Sequence, residues 1–129
     1  MKPWDAFTLH CLELLSPLGP VRARRMFGGV GLYVDDLFIA LIDNGQLFLK
    51  VGPAHVAAFE AAGTQPFVFI AADGTRHTMG YRTAPEGALE SADAMRPWAR
   101  LSMEAALVQA NAKAATKAKA KPAKAKPPR

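Results

Sequence analysis

The segment Arg24–Val51 constrains the fold of this chain more than any other part of it. It holds three apolar runs of strand length: Met26-Phe27-Gly28-Gly29-Val30-Gly31-Leu32-Tyr33-Val34, Leu37-Phe38-Ile39-Ala40-Leu41-Ile42 and Gln46-Leu47-Phe48-Leu49-Lys50-Val51. The spacers between them are Asp35-Asp36 and Asp43-Asn44-Gly45. Asn-Gly is a strong hairpin signal, because a type I′ turn needs positive φ at both central residues. Asp tolerates the left-handed region better than most residues, so Asp35-Asp36 suits the other reversal. The pattern predicts a three-stranded antiparallel meander. In its first strand, alternation puts Met26, Gly28, Val30, Leu32 and Val34 on one face and Phe27, Gly29, Gly31 and Tyr33 on the other. Three glycines in a strand lose backbone entropy and pack no side chain, so they need a reason. A bulge, a bend or a closely packed helix is one reason; a ligand or partner backbone approaching the glycine face is the other.

The flanking sequence adds helices and a second hairpin. Trp4, Phe7, Cys11, Leu14, Leu15 and Leu18 recur at three- and four-residue steps, which predicts a helix over 4–16 ended by Ser16-Pro17. His10 lies off that stripe and reads as a solvated surface histidine. A short helix is expected over 54–62, stopped by Gly63. Strands follow from Phe67 to Ala71 and from Thr75 to about Arg82, joined across Asp73-Gly74. Pro97 suits a first helical position, so the last helix is placed from Arg96, with Trp98, Leu101, Ala105 and Val108 as its apolar stripe. The fold class is α+β with a five-stranded antiparallel sheet, in the order αβββαββα.

Charge divides the chain in two. Lys113, Lys117, Lys119, Lys121, Lys124, Lys126 and Arg129 stand in residues 113–129 without an acid. That leaves nine of the sixteen basic residues against all eleven acids in residues 1–112. The expected organisation is a globular domain over 1–112 and a disordered Lys/Ala/Pro tail over 113–129. Alanine and lysine favour helix, so the last helix is expected to fray to about Lys121, with Pro122, Pro127 and Pro128 against its continuing. Such a tail is expected to bind nucleic acid through phosphates, without reading sequence. A solubilising extension is the alternative.

Catalytic signals are missing from the sequence. Gly28-Gly29-Val30-Gly31 runs into a strand, whereas phosphate-binding glycine loops run into a helix N-terminus. His10, His55 and His77 show no metal-ligand spacing, and the one cysteine, Cys11, sits on an apolar stripe and is expected to be buried and inert. Asp35-Asp36 reads as a turn rather than a catalytic pair, and His77 with Asp73 as a cross-strand contact rather than an acid–base couple. No catalytic residue, metal or cofactor is assigned. Neither a continuous apolar leader nor a membrane-length apolar run is present, so a cytoplasmic protein is expected. Arg22, Arg24 and Arg25 cluster before the first predicted strand. They suit phosphate or an acidic partner as well as ordinary solvated charge.

The Arg25-Met26-Phe27-Gly28-Gly29-Val30-Gly31-Leu32-Tyr33 segment resembles the N-terminal domain of the TfoX/Sxy family of bacterial competence regulators. So do Phe38-Ala40-Leu41-Ile42, Leu47-Phe48-Leu49-Lys50-Val51, Pro66-Phe67, Met79-Gly80-Tyr81, Pro85-Glu86 and Trp98-Ala99. The resemblance covers about residues 4–110 and implies a two-layer α/β domain. It also implies a non-enzymatic regulator, since full-length members assist the cyclic-AMP receptor protein at competence promoters. Two-domain members carry a C-terminal domain, and this chain is expected to be a single-domain member with a basic tail instead. A protein of the transcription machinery is the expected partner. The candidate partner surface is Arg22, Arg24, Arg25, Gly29, Gly31 and Tyr33. The alternative is a small-ligand binder or enzyme with a pocket beside Gly28, Gly29 and Gly31.

Overall fold

Asp5 starts the first helix. In the computed structural model, which describes residues 4–26 and 28–125, its Oδ1 accepts the Thr8 N–H at 2.8 Å and caps α1 (Ala6–Leu15). Hydrogen bonding from Thr8 holds the Asp5 carboxyl below the usual carboxylate range. Four strands follow where three were expected: β1 (Val21–Met26), β2 (Gly29–Val34), β3 (Leu37–Asp43) and β4 (Gln46–Lys50). After α2 (Val56–Ala61) come β5 (Pro66–Ile70) and β6 (Arg76–Thr83), then α3 (Ala92–Ala125). The sheet is antiparallel, six-stranded and ordered β1-β2-β3-β4-β6-β5.

The sixth strand corrects the expected count of five. Gly28, at φ +79°, makes a turn inside what reads as one apolar run. Met26 therefore ends β1 and Gly29 begins β2, paired directly across from each other. The arginine-rich segment is thus an edge strand, not a loop. Its alternation, Val21 and Ala23 half-buried against Arg22 and Arg24 exposed, is the period-two signal its charge concealed. The other reversals follow the residues: Asp35 and Asp36 stand at φ +51° and +64°, Asn44 and Gly45 at +56° and +76°.

One face of the sheet carries the core. Leu32, Val34, Ile39, Ala40, Ile42, Leu47 and Leu49 meet Cys11, Leu14 and Leu15 of α1, Phe59 of α2, and Met95, Ala99 and Ala106 of α3. Phe59 is fully buried and sets its ring edge-on to Trp98, centroids 5.0 Å apart. A register shift between Leu32 and Tyr33 gives β3 one extra residue: Leu32 pairs Ala40 while Tyr33 pairs Phe38. Ile39 and Ala40 are both buried as a result, and Phe38 joins Tyr33 on the opposite face. Cys11 is buried as expected, and burial, with Asp5's charge a lesser cause, pushes its thiol up to about 12.

Several side-chain and helix expectations change. His10 is half-buried, not solvated, with Nε2 2.7 Å from the Leu89 carbonyl; that oxygen only accepts, so Nε2 carries the proton. The last helix starts at Ala92, not Arg96, because Ser91 caps it: Ser91 Oγ accepts the Ala94 N–H at 3.1 Å. Pro97 then lies inside the helix, exposed, over the carbonyl of an exposed Asp93, which solvent can satisfy. The buried stripe of α3 is Met95, Ala99, Ser102 and Ala106, while Val108 is 68% exposed. The helix is described to Ala125, past Pro122. Its alanines and lysines are strong helix formers.

Candidate functional site

The sheet face opposite the core is a cross-strand row of rings flanked by cations. Because directly paired residues share a face, the register of β1 and β2 brings Arg22 beside Tyr33, Arg24 beside Gly31, and Met26 beside Gly29. The β3 bulge adds Phe38, and the β4–β6 pairing adds Lys50 beside Tyr81. The Arg22 guanidinium lies 4.5 Å from the Tyr33 ring centroid. Tyr33 stacks on Phe38 at 5.2 Å, and Phe38 meets Tyr81 at 5.7 Å. Lys50 Nζ stands 5.3 Å from the Phe38 ring and 5.6 Å from that of Tyr81.

Each contact has a physical cause. A cation over an aromatic face is attracted by the ring quadrupole, at roughly 0.5–1 kcal/mol on an exposed surface. Arg22 Nε also donates to Asp36 Oδ1 at 3.2 Å, tying the row to the β2–β3 turn. Lys50 Nζ donates to Gln109 Oε1 at 2.6 Å, where α3 runs past the rim of the sheet. Burial, with a smaller contribution from Tyr33, pushes the Tyr81 phenol up to about 12. The rings contact one another, and Arg22 and Lys50 lie against them. Phe48 and Phe67, edge-on at 4.8 Å, form a further ring pair.

The glycines serve this packing. A Cβ on Gly31 would stand 2.7 Å from Met26 Cε and 3.0 Å from Phe38, and one on Gly29 would collide with the Ile42 carbonyl oxygen. Gly28 belongs to the turn and faces open space. A cleft of about 840 Å³ does exist, but none of these three glycines lines it. It lies where α3 leaves the sheet, between Phe38, Lys50 and Tyr81 on one side and Glu104, Val108 and Gln109 on the other. His55 Nε2 and Glu104 Oε1, 3.1 Å apart, belong to residues that also line it.

Of the residues singled out in the sequence, Arg22, Arg24, Gly29, Gly31 and Tyr33 come together on the outer face. Arg25 does not. It pairs with Val30 on the core side and places its guanidinium 4.2 Å from the Trp4 ring centroid. Lys113, Lys117, Lys119, Lys121 and Lys124 belong to α3 by their backbone, and Lys126 and Arg129 lie outside the described residues. The side chain of His77 is likewise outside them, so its pairing with Asp73 is not described; Asp73 Oδ1 accepts the Thr75 N–H at 2.9 Å. Phe38, Lys50 and Tyr81 were not anticipated. The faces of Phe38 and Tyr81 depend on a bulge and on a pairing between strands far apart in sequence, which local periodicity does not reveal.

Among the described residues, no three or more His, Cys, Asp or Glu side chains are grouped to hold a metal ion, and no helix is long and apolar enough to cross a membrane. Comparison with known proteins gives the family. The DNA transformation protein TfoX1 of Aliivibrio fischeri (strain ATCC 700601 / ES114) is 40% identical over 58 residues, which are 45% of this chain and 28% of that protein. The chain thus matches less than a third of that relative's length. The profile of the TfoX N-terminal domain matches residues 13–106, from within α1 to the buried turns of α3, and the chain belongs to that family.

Proposed function

We propose that this protein is a non-enzymatic, cytoplasmic regulator of competence for DNA uptake, built to hold a protein partner on the outer sheet face. The observation that carries the reading is the cation-flanked aromatic row Arg22–Tyr33–Phe38–Lys50 in a member of the TfoX N-terminal domain family. Half-buried rings supply apolar contact area, and Arg22, Arg24 and Lys50 favour a partner segment that sets acidic side chains around an apolar anchor. The similarity to a DNA transformation protein supports the process; the partner would belong to the transcription machinery.

The second element is the basic segment, Lys113, Lys117, Lys119, Lys121, Lys124, Lys126 and Arg129, which binds nucleic acid through phosphates. It adds affinity and no sequence discrimination. With every one of its charges engaged on duplex DNA, log K against log salt would fall with a slope of about −6.

The test is genetic and physical. Deleting the gene should lower transformation frequency, and the full chain should restore it. Arg22→Glu/Arg24→Glu should fail to restore it, whereas Arg25→Gln, on the opposite face, should succeed. Full rescue by the double reversal would discard the outer face as the docking surface; unchanged transformation in the deletion strain would discard the process. Substituting the seven basic residues by Gln should flatten the salt slope of duplex binding.

The cleft beside Phe38, Lys50 and Tyr81 favours a second reading, a small-ligand binder. A ligand at 100 times its Kd stabilises by about 2.7 kcal/mol, so a thermal-shift screen of metabolites and nucleotides tests it.

A further inference from the structure

The two edges of the sheet are opposite in character. β1, at one end, is Val21-Arg22-Ala23-Arg24-Arg25-Met26, and pairing it with a second β1 would bring guanidinium against guanidinium. Charged residues of this kind are how natural sheets blunt an open edge. β5, at the other end, is Pro66-Phe67-Val68-Phe69-Ile70, and no charged residue stands between Gln65 and Ala72. Its Ile70 is 54% exposed.

The hydrogen-bond register shows what β5 leaves open. The Ala71 N–H bonds to the Thr75 carbonyl at 2.9 Å, and Phe69 pairs with His77. Backbone groups alternate in direction along a strand, so Val68 and Ile70 turn their N–H and C=O groups away from β6. Pro66, the one residue without a donor, sits at the start of the strand and guards only that end.

We propose that β5 pairs antiparallel with β5 of a second copy of this chain, about a two-fold axis perpendicular to the sheet. The joint sheet has β1 at both ends, so the uncharged edges are consumed and only the arginine-bearing ones remain. That closure ends the assembly at two copies. Pairing β5 with β1 of another copy would leave open ends and grow into a filament. In the two-fold arrangement both helix layers lie on one side, and both ring-and-cation rows lie on the other. A strand of five residues contributes little area beside the roughly 1,200–2,000 Å² of a stable complex, so the dimer forms with rising concentration. This inference rests on edge chemistry and does not use the docking or competence reading.

Sedimentation velocity of the full chain at moderate salt, from micromolar to millimolar concentration, tests it. The mass should rise from 13.8 kDa toward twice that value. Ile70→Lys places a charge on each of the two paired edges, and Ile70→Pro removes an outward donor; each should hold the monomer mass at every concentration while keeping the wild-type circular dichroism. Arg24→Ser, on the far edge, should leave the dimer as it is. A wild-type chain that stays monomeric overturns the proposal, as does a dimer that survives in both Ile70 variants or is lost in Arg24→Ser.

Discussion

The two faces of the sheet use the same strands for different ends. On the helix side, Leu32, Val34, Ile39, Ala40 and Leu49 are wholly excluded from solvent and aliphatic. On the other side, Tyr33 and Phe38 are half-buried aromatics, spaced by cations. Adjacent residues of one strand, Leu32 and Tyr33, thus belong to unlike environments. Aliphatic burial stabilises in proportion to area removed from water. Half-buried rings with charges leave contact surface accessible, which is what the proposed docking role requires. Stability and recognition should therefore separate by face of the sheet, and mutations can test how cleanly.

The largest effect belongs to the helix side. Phe59 is fully buried and edge-on to Trp98, so Phe59→Ala removes a large apolar volume and leaves a cavity the helices cannot fill. Chemical denaturation should show a loss of about 3–5 kcal/mol. A loss below about 1 kcal/mol would mean that the helix layer contributes little to the fold.

Next come the glycines, which lie on the outer face yet serve the fold. In Gly29→Ala the new methyl meets the backbone carbonyl of Ile42, which cannot move without disturbing the β2–β3 pairing. In Gly31→Ala it meets the end of the flexible Met26 side chain. Overpacking of this kind costs about 1–3 kcal/mol; Gly29→Ala should fall at the top of that range and Gly31→Ala at the bottom. Equal losses would show that the carbonyl and the methionine yield alike.

These glycines show what the sequence could and could not disclose. The Asn44-Gly45 and Asp35-Asp36 reversals were legible because their conformations are a local property of those residues. The helices were legible in place, apart from the Ser91 cap, which competed with the familiar position of proline at a helix start. The first strand was hidden because Arg22, Arg24 and Arg25 look like a loop. The glycine run looked continuous because Gly28 carries no outward sign of marking a turn. The outer-face row was half legible: Tyr33, Arg22 and Arg24 follow from the first hairpin. Phe38 needs the bulge at Ile39, and Lys50 with Tyr81 needs β4 to pair with β6 across the whole α2–β5 excursion.

Tyr81 gives an effect within the same range, readable in pH. It is 8% exposed, and burial raises its phenol to about 12 from the ordinary 10.0. The unfolded chain releases this proton first, so above the ordinary value it binds fewer protons than the folded chain. Stability from this group is then intact below pH 10 and lost as pH rises toward 12. The loss should be on the order of 2 kcal/mol. In denaturation curves across that window, Tyr81→Phe should be flatter than wild type by this amount. Parallel curves would show that the phenol ionises as freely in the fold as outside it, and that this end of the row is wetter than its packing implies.

The smallest effect is expected where the outer face is most polar. The Arg22–Asp36 pair keeps side-chain exposures of 52% and 84% at 3.2 Å, so water and salt screen it strongly. A double-mutant cycle of Arg22→Gln and Asp36→Asn isolates the pair, since asparagine also accepts the left-handed backbone at Asp36, φ +64°. The coupling should be about 0.2–1 kcal/mol and shrink in high salt. Arg22→Gln alone should cost slightly more, because it also removes the cation from the Tyr33 ring, an interaction that Asp36→Asn leaves in place. A coupling well above that range would make Arg22 a structural residue of the β2–β3 turn. Its exposure would then no longer mark it as available to a partner, and the division of labour between the two faces would fail at the residue that best represents it.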